Sequence, residues 1–173
     1  MNNSTPTDFV SQLCPNCGLC CNGVLFADVE LRKDDNASQL AGLGLSLKKK
    51  GRRQAFTQPC ACFDGKLCRI YSERPRYCQA FECGLLKKVQ AGELEVETAL
   101  KSIAEARRRV GKVAKILRRL GQHDEQLALI KRHVQVMSEA VDLSGPKAAV
   151  AWRGELMLAV EDLMRLLQRD FLK

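Results

Sequence analysis

From residue 93 onward, apolar side chains recur every three or four positions, the repeat of an amphipathic helix. The spacing predicts one helix from Glu93 to Leu120, on which Val96, Leu100, Ile103, Val110, Ala114 and Leu117 form a stripe that Arg107 interrupts. It predicts a second from Asp124 to Leu143, with Leu127, Ile130, Val134, Met137 and Val141 on one face. A third, Lys147 to Leu172, carries Val150, Leu156, Val160, Leu163, Leu167 and Phe171, and Met157, Met164 and Leu166 widen its stripe. Gly121 and Gly145 stand where helices stop, and Pro146 where the next begins. Burial of these stripes within one chain is a simpler expectation than a dimer interface.

Before residue 84 the pattern is shorter and broken. Gly23 to Phe26 reads as a strand. Asp28 reads as the N-cap of a helix from Val29 to Leu40, stopped by Gly42 and Gly44. Leu45–Lys49 and Gln54–Thr57 read as strands around KKKGRR, and Leu67–Tyr71 as a third. Ser72 and Pro75 mark a helix start, with Tyr77, Phe81 and Leu85 expected on one face. The class this implies is α+β: a small N-terminal domain, residues 1–84, followed by an α-helical hairpin or three-helix region, residues 85–173.

Composition sharpens the division. All nine cysteines precede residue 84, whereas aromatic residues make up only 5% of the chain. Rings are scarce and thiols are crowded, so metal is a natural way to fix the first domain. The first ten residues lack the charged and apolar regions of a secretory leader, and no apolar run approaches the ~18 residues of a membrane span. These features predict a cytoplasmic protein, in which clustered cysteines are metal ligands or redox groups in preference to permanent disulfides. The formal charge of +8 counts cysteines as neutral. Eight thiolates around two Zn²⁺ would halve it, which weakens the inference from charge to a nucleic-acid partner.

The stretch CPNCGLCC, residues 14–21, spaces Cys14, Cys17 and Cys20 as CxxCxxC, with Gly18 at the bend. Zinc sites and cubane iron–sulfur clusters both take four ligands, so a fourth must come from elsewhere. Cys21 adjoins Cys20, and in extended chain neighbouring side chains diverge, so Cys21 serves a second centre or stands beside the first. The second group is Cys60, Cys62, Cys68, Cys78 and Cys83, at irregular gaps and with no second CxxC knuckle. That absence tilts the reading from zinc toward an iron–sulfur cluster.

CPNCGLCC, together with CRIYSERPRYC at residues 68–78, resembles the bacterial CxxCxxCC proteins, the YkgJ-like cysteine cluster family, whose cysteines are ascribed to zinc or iron chelation. The resemblance spans residues 14 to about 83. It implies Cys14, Cys17, Cys20, Cys21, Cys68 and Cys78 as shared positions, one of Cys60 or Cys62 as another, and Cys83 as a less regular last one. Gln79 stands where family members often have Arg. One branch is similar to the cysteine-rich region of flagellin lysine methylases, and the resemblance does not extend to that activity. Within the motif, Tyr71, Arg74 and Pro75 read first as structural. The functional reading places the Arg74 guanidinium facing the thiolates, where it would offset their charge and raise a redox potential.

Other readings rank lower. A thioredoxin-type CxxC follows a strand, and Cys14 follows a polar tail. His123 and His133 lie ten residues apart, and Gly42-Leu43-Gly44 lacks the remainder of a dinucleotide fingerprint. No Ser-nucleophile motif is present, so no catalytic residue is assigned. Residues 101–119 hold eight basic side chains against Glu105 alone. With no interleaved rings, such a face is expected to be solvated surface before it is a phosphate-binding one, although a protein or nucleic-acid partner on zinc-stabilised basic helices is the alternative function.

Overall fold

A computed structural model describes residues 6–140 and 147–172. The elements in chain order are α1 (Pro6–Cys17), β1 (Asp28–Glu30), α2 (Ala37–Gly42), β2 (Leu47–Lys50), β3 (Arg53–Thr57), α3 (Arg76–Ala80), α4 (Gly84–Gln90), α5 (Val96–Arg119), α6 (Leu129–Ser138) and α7 (Lys147–Asp170). The class is α+β. The described residues form two compact units: 6–17, 83–124, 131–140 and 147–172 in a helical unit, and 18–82 with 125–130 in a cysteine-rich unit. The division expected at residue 84 differs from these units at 6–17, 83–84 and 125–130.

In the helical unit, α5 packs on α7, and α1 and α4 pack on α5 and on each other. Ala99, Ile103, Ala106, Val113, Ile116 and Leu117 of α5 are buried, as are Leu156, Ala159, Leu163, Leu166 and Leu167 of α7. The buried line on α5 is rotated from the expected one: Val96, Leu100, Val110 and Ala114 are half-buried, and the alanines at 99 and 106 lie inside. Small side chains at those points let a neighbouring backbone come close. On α6 the expected face is largely outward. Ile130 and Val134 are exposed, while Arg132 and Val136 are buried. Val150 on α7 is likewise exposed. Val141, Leu143, Gly145 and Pro146 lie outside the described residues.

In the cysteine-rich unit a three-stranded antiparallel sheet has the order β1-β3-β2. Val29 pairs with Phe56 and Leu47 with Phe56 across the central strand. The strands around KKKGRR form as the sequence predicts, turning at Gly51. The expected helix from Val29 does not. Asp28-Val29-Glu30-Leu31 alternates polar and apolar, the strand period, and Val29 and Leu31 enter the core. The helix starts later, capped by Asn36, whose side chain accepts from the Gln39 N–H at 3.0 Å. Residues 23–26 are turn and bend, and Leu67–Tyr71 contributes only a single bridge, Phe63 to Cys68. The helix expected through Leu85 ends at Ala80, because Phe81 is extended. The Phe26 ring meets Tyr77 and Phe81 edge-on, with centroids at 5.9 and 4.9 Å. Val29, Leu31, Leu40, Leu45, Phe56, Cys62 and Ile70 form the core.

Candidate metal centre

The cysteine-rich unit places six of the nine cysteines, and its short elements bring several together. The Gly18 carbonyl accepts from the N–H groups of Cys21 and Asn22, both at 3.0 Å, which curls Cys20 and Cys21 into one tight turn. Gly18 has φ +67°, and a Cβ there would stand 2.8 Å from the Phe63 ring, so glycine is required twice over. The Cys60 N–H donates to the Cys21 carbonyl at 2.8 Å, tying the second cysteine segment to the first. Gly23 admits that approach: at φ +81°, a Cβ would lie 3.2 Å from Pro59.

A second small loop presents Cys68. The Asp64 carboxylate accepts from the Lys66 and Leu67 N–H groups at 2.8 and 2.7 Å, and the Arg69 N–H donates to the Cys62 carbonyl at 2.8 Å. These bonds fold residues 60–69 back on themselves. Cys78 rides on α3, whose first turn is fixed by Asp35. That carboxylate accepts from the Arg76 N–H and, through its other oxygen, from the Arg32 N–H, each at 2.8 Å.

Cys60 lies within electrostatic reach of Cys62, Cys68 and Cys78, and Cys68 within reach of Cys62 and Cys78. Burial pushes the Cys60 thiol up to about 11, with further raising by Cys62 and Cys68. Burial pushes Cys78 up to about 12; Cys60 adds to the rise, and the Arg74 guanidinium opposes it. Arg74 lies over the Tyr71 ring at 3.8 Å and donates to the Tyr71 carbonyl at 3.0 Å, so it is held in place beside Cys78. Such thiols keep their protons in water alone, and a divalent or cluster metal is what would displace them.

Cys62 is different in kind. It is fully buried among Leu31, Leu40, Leu45 and Phe56, and its sulfur lies 3.7 Å from the Leu43 carbonyl. Cys60, Cys68 and Cys78 sit at the edge of the same core, half-buried.

The other three cysteines are in the helical unit. Cys14 and Cys17 are carried one turn apart on α1, not in a loop, and Cys83 precedes the first turn of α4, which packs on α1. Among the described residues, no three His, Cys, Asp or Glu side chains already stand as a metal-holding group. The donor set nonetheless suits the metals at issue, since thiolate sulfur favours zinc and iron–sulfur iron. Asp35 was not singled out from sequence. Its signal is an Asp-Asp-Asn run far from residue 76, and only the fold reveals the span.

No curated protein and no solved structure shows a significant match to the chain. The family model CxxCxxCC, described as a "putative zinc- or iron-chelating domain", matches residues 13–101. That stretch takes in every cysteine.

Proposed function

The chain belongs to the CxxCxxCC family, and on that premise we propose that it chelates its metal in the cysteine-rich unit, through Cys60, Cys68 and Cys78 with a sulfur from the Cys20–Cys21 turn. The observation that carries this reading is the 2.8 Å bond from the Cys60 N–H to the Cys21 carbonyl, which joins the two cysteine segments at the backbone. Cys60 is chosen over Cys62 because Cys62 is consumed by the hydrophobic core. Arg74 is the residue that offsets the charge of the thiolates, acting first on Cys78. Cys14, Cys17 and Cys83 form a separate candidate set on the helical unit.

The irregular gaps of the second cysteine group, with no second CxxC knuckle, favour an iron–sulfur cluster over zinc. A bound cluster would supply one-electron redox chemistry, and bound zinc would supply a structural cross-link. This chain's own residues supply the rest: two tight turns that present sulfur, a hydrophobic core edge against which Cys60, Cys68 and Cys78 lie half-buried, and a guanidinium that stabilises thiolate. Anaerobic purification with elemental analysis and a visible spectrum tests the reading. Iron and sulfide with broad absorption near ~400 nm select the cluster, and a colourless zinc protein selects the structural site. A folded protein empty of both metals overturns the proposal.

A further inference from the structure

We propose that α5 carries a binding surface for double-stranded nucleic acid, read through the phosphate backbone and independent of base sequence. The inference does not depend on which metal the cysteines hold. Lys101, Arg108, Lys112, Lys115 and Arg119 are all exposed. Their separations of seven, four, three and four residues keep them within about 60° of one another around the helix, along about 27 Å of its axis. The cations thus make one straight ridge. Ala104 and Gly111 flank it, both exposed, and nothing lies within 4 Å of where a Gly111 Cβ would stand.

Three of the five cations have carboxylate partners. Lys101 pairs with Glu97, Arg108 with Glu105 and Arg119 with Glu155, the last at 4.0 Å. The Lys101 and Arg119 pairs are exposed, where such contacts contribute little and yield readily to a phosphate, whereas Arg108 is held by the half-buried Glu105 through two bonds at 2.8 and 2.7 Å. Among the described residues, no carboxylate pairs with Lys112 or Lys115. Helix stability does not account for these two. Arg118 and Arg119 complement the dipole from the last turn, but Lys112 and Lys115 precede it. Core packing does not account for them either, because the buried face of α5 is the side bearing Val113, Ile116 and Leu117. After Glu105 the helix has no further acid, so every charged side chain in its second half is a cation.

The chemistry of the ridge selects the partner. A surface-lying membrane helix needs large apolar side chains beside its cations, and here the flank offers Ala104 and Gly111. Single-stranded nucleic acid is gripped by stacking on rings, and α5 has none. A regularly charged, rigid polyanion fits a straight row of cations, and it is bound by counterion release.

The test uses the full-length protein with its metal in place and a short mixed-sequence DNA duplex, titrated across salt concentration. The double variant K112A/K115A is compared with K33A/K49A, which removes two exposed lysines from the other unit. The expected result is that the wild type binds at low salt, that K112A/K115A lowers the magnitude of the salt slope by about two, and that the control leaves it unchanged. Absence of binding at low salt overturns the proposal. So does an equal change of slope in the control, or tighter binding to phosphatidylserine vesicles or polyglutamate than to the duplex.

Discussion

The two compact units solve the problem of stability by different means. The helical unit has two 24-residue helices, α5 and α7, whose buried side chains line their contact. The cysteine-rich unit has strands of three to five residues and helices of five and six. No element of that size is stable by itself, and a seven-residue hydrophobic core must organise them all. The difference teaches where metal matters. Helices that bury long stripes need no cross-link, whereas short elements hung on loops gain most from one.

The widest separation between the units should come from removing a ligand. Cys60→Ser or Cys78→Ser is expected to lower metal content by at least half. It should also abolish hydrogen-exchange protection across residues 18–82 while leaving α5 and α7 protected. A structural metal contributes on the order of 10 kcal/mol in small domains, more than such a core supplies. Undiminished metal in both variants would remove Cys60 and Cys78 from the ligand set.

The converse experiment strikes the helical unit. Leu117 and Leu156 are fully buried, on α5 and α7 respectively. Leu117→Ala is expected to cost about 2–5 kcal/mol by creating a cavity, with Leu156→Ala similar. Urea denaturation followed by helical circular dichroism measures the loss. Metal content per folded molecule should stay at the wild-type level; a parallel fall would show the units to be one cooperative block.

Much of the helical unit was readable from periodicity, because a three–four repeat over twenty residues admits one interpretation. What periodicity missed was rotation. Ala99 and Ala106 stand outside the expected stripe, yet they are fully buried, and Ile130 and Val134 stand on it, yet they face outward. The cysteine-rich unit was harder for a physical reason. Asp28 satisfies the rule for a helix cap as well as the rule for a strand's polar face, and only the pairing of Val29 with Phe56 decides between them. Candidate ligands were visible by residue type. Their grouping was not, since the Cys60–Cys21 contact joins positions 39 residues apart in sequence. The helical setting of Cys14 and Cys17 was also hidden, because a CxxC motif and the proline at 15 suggest a loop.

Cys62 offers a finer discrimination inside the cysteine-rich unit. A core thiol and a ligand thiol respond differently to the same change. Cys62→Ala deletes one buried sulfur and is expected to cost about 1–2 kcal/mol in chemical denaturation, with metal stoichiometry intact. A loss of metal equal to that in Cys60→Ser would make Cys62 a ligand and reverse the choice between them.

The smallest effect tests whether electrostatics, as well as packing, distinguishes the helical unit. Glu105 accepts two bonds from Arg108, at 2.8 and 2.7 Å, and one from Arg109 at 2.7 Å. Arg109 also donates to the Asp162 carboxylate at 2.8 Å, so the network ties α5 to α7. These hydrogen bonds, Arg108 first and then Arg109, hold the Glu105 carboxyl at about 2, against an ordinary value of 4.5. A depressed carboxylate binds its proton more weakly folded than unfolded. Its contribution is therefore complete above pH 4.5 and disappears as pH falls toward 2. Glu105→Gln should lower the melting temperature of the helical signal slightly at pH 7, because exposed pairs are screened by solvent. The gap between variant and wild type should narrow below pH 4.5 and close near pH 2. Since acid also releases metal from thiolates, the comparison is made between the two proteins at each pH, where that loss is common to both. A gap that is constant with pH would mean that Glu105 acts through shape and hydrogen bonding alone, and the helical unit would then owe its stability to burial without help from charge.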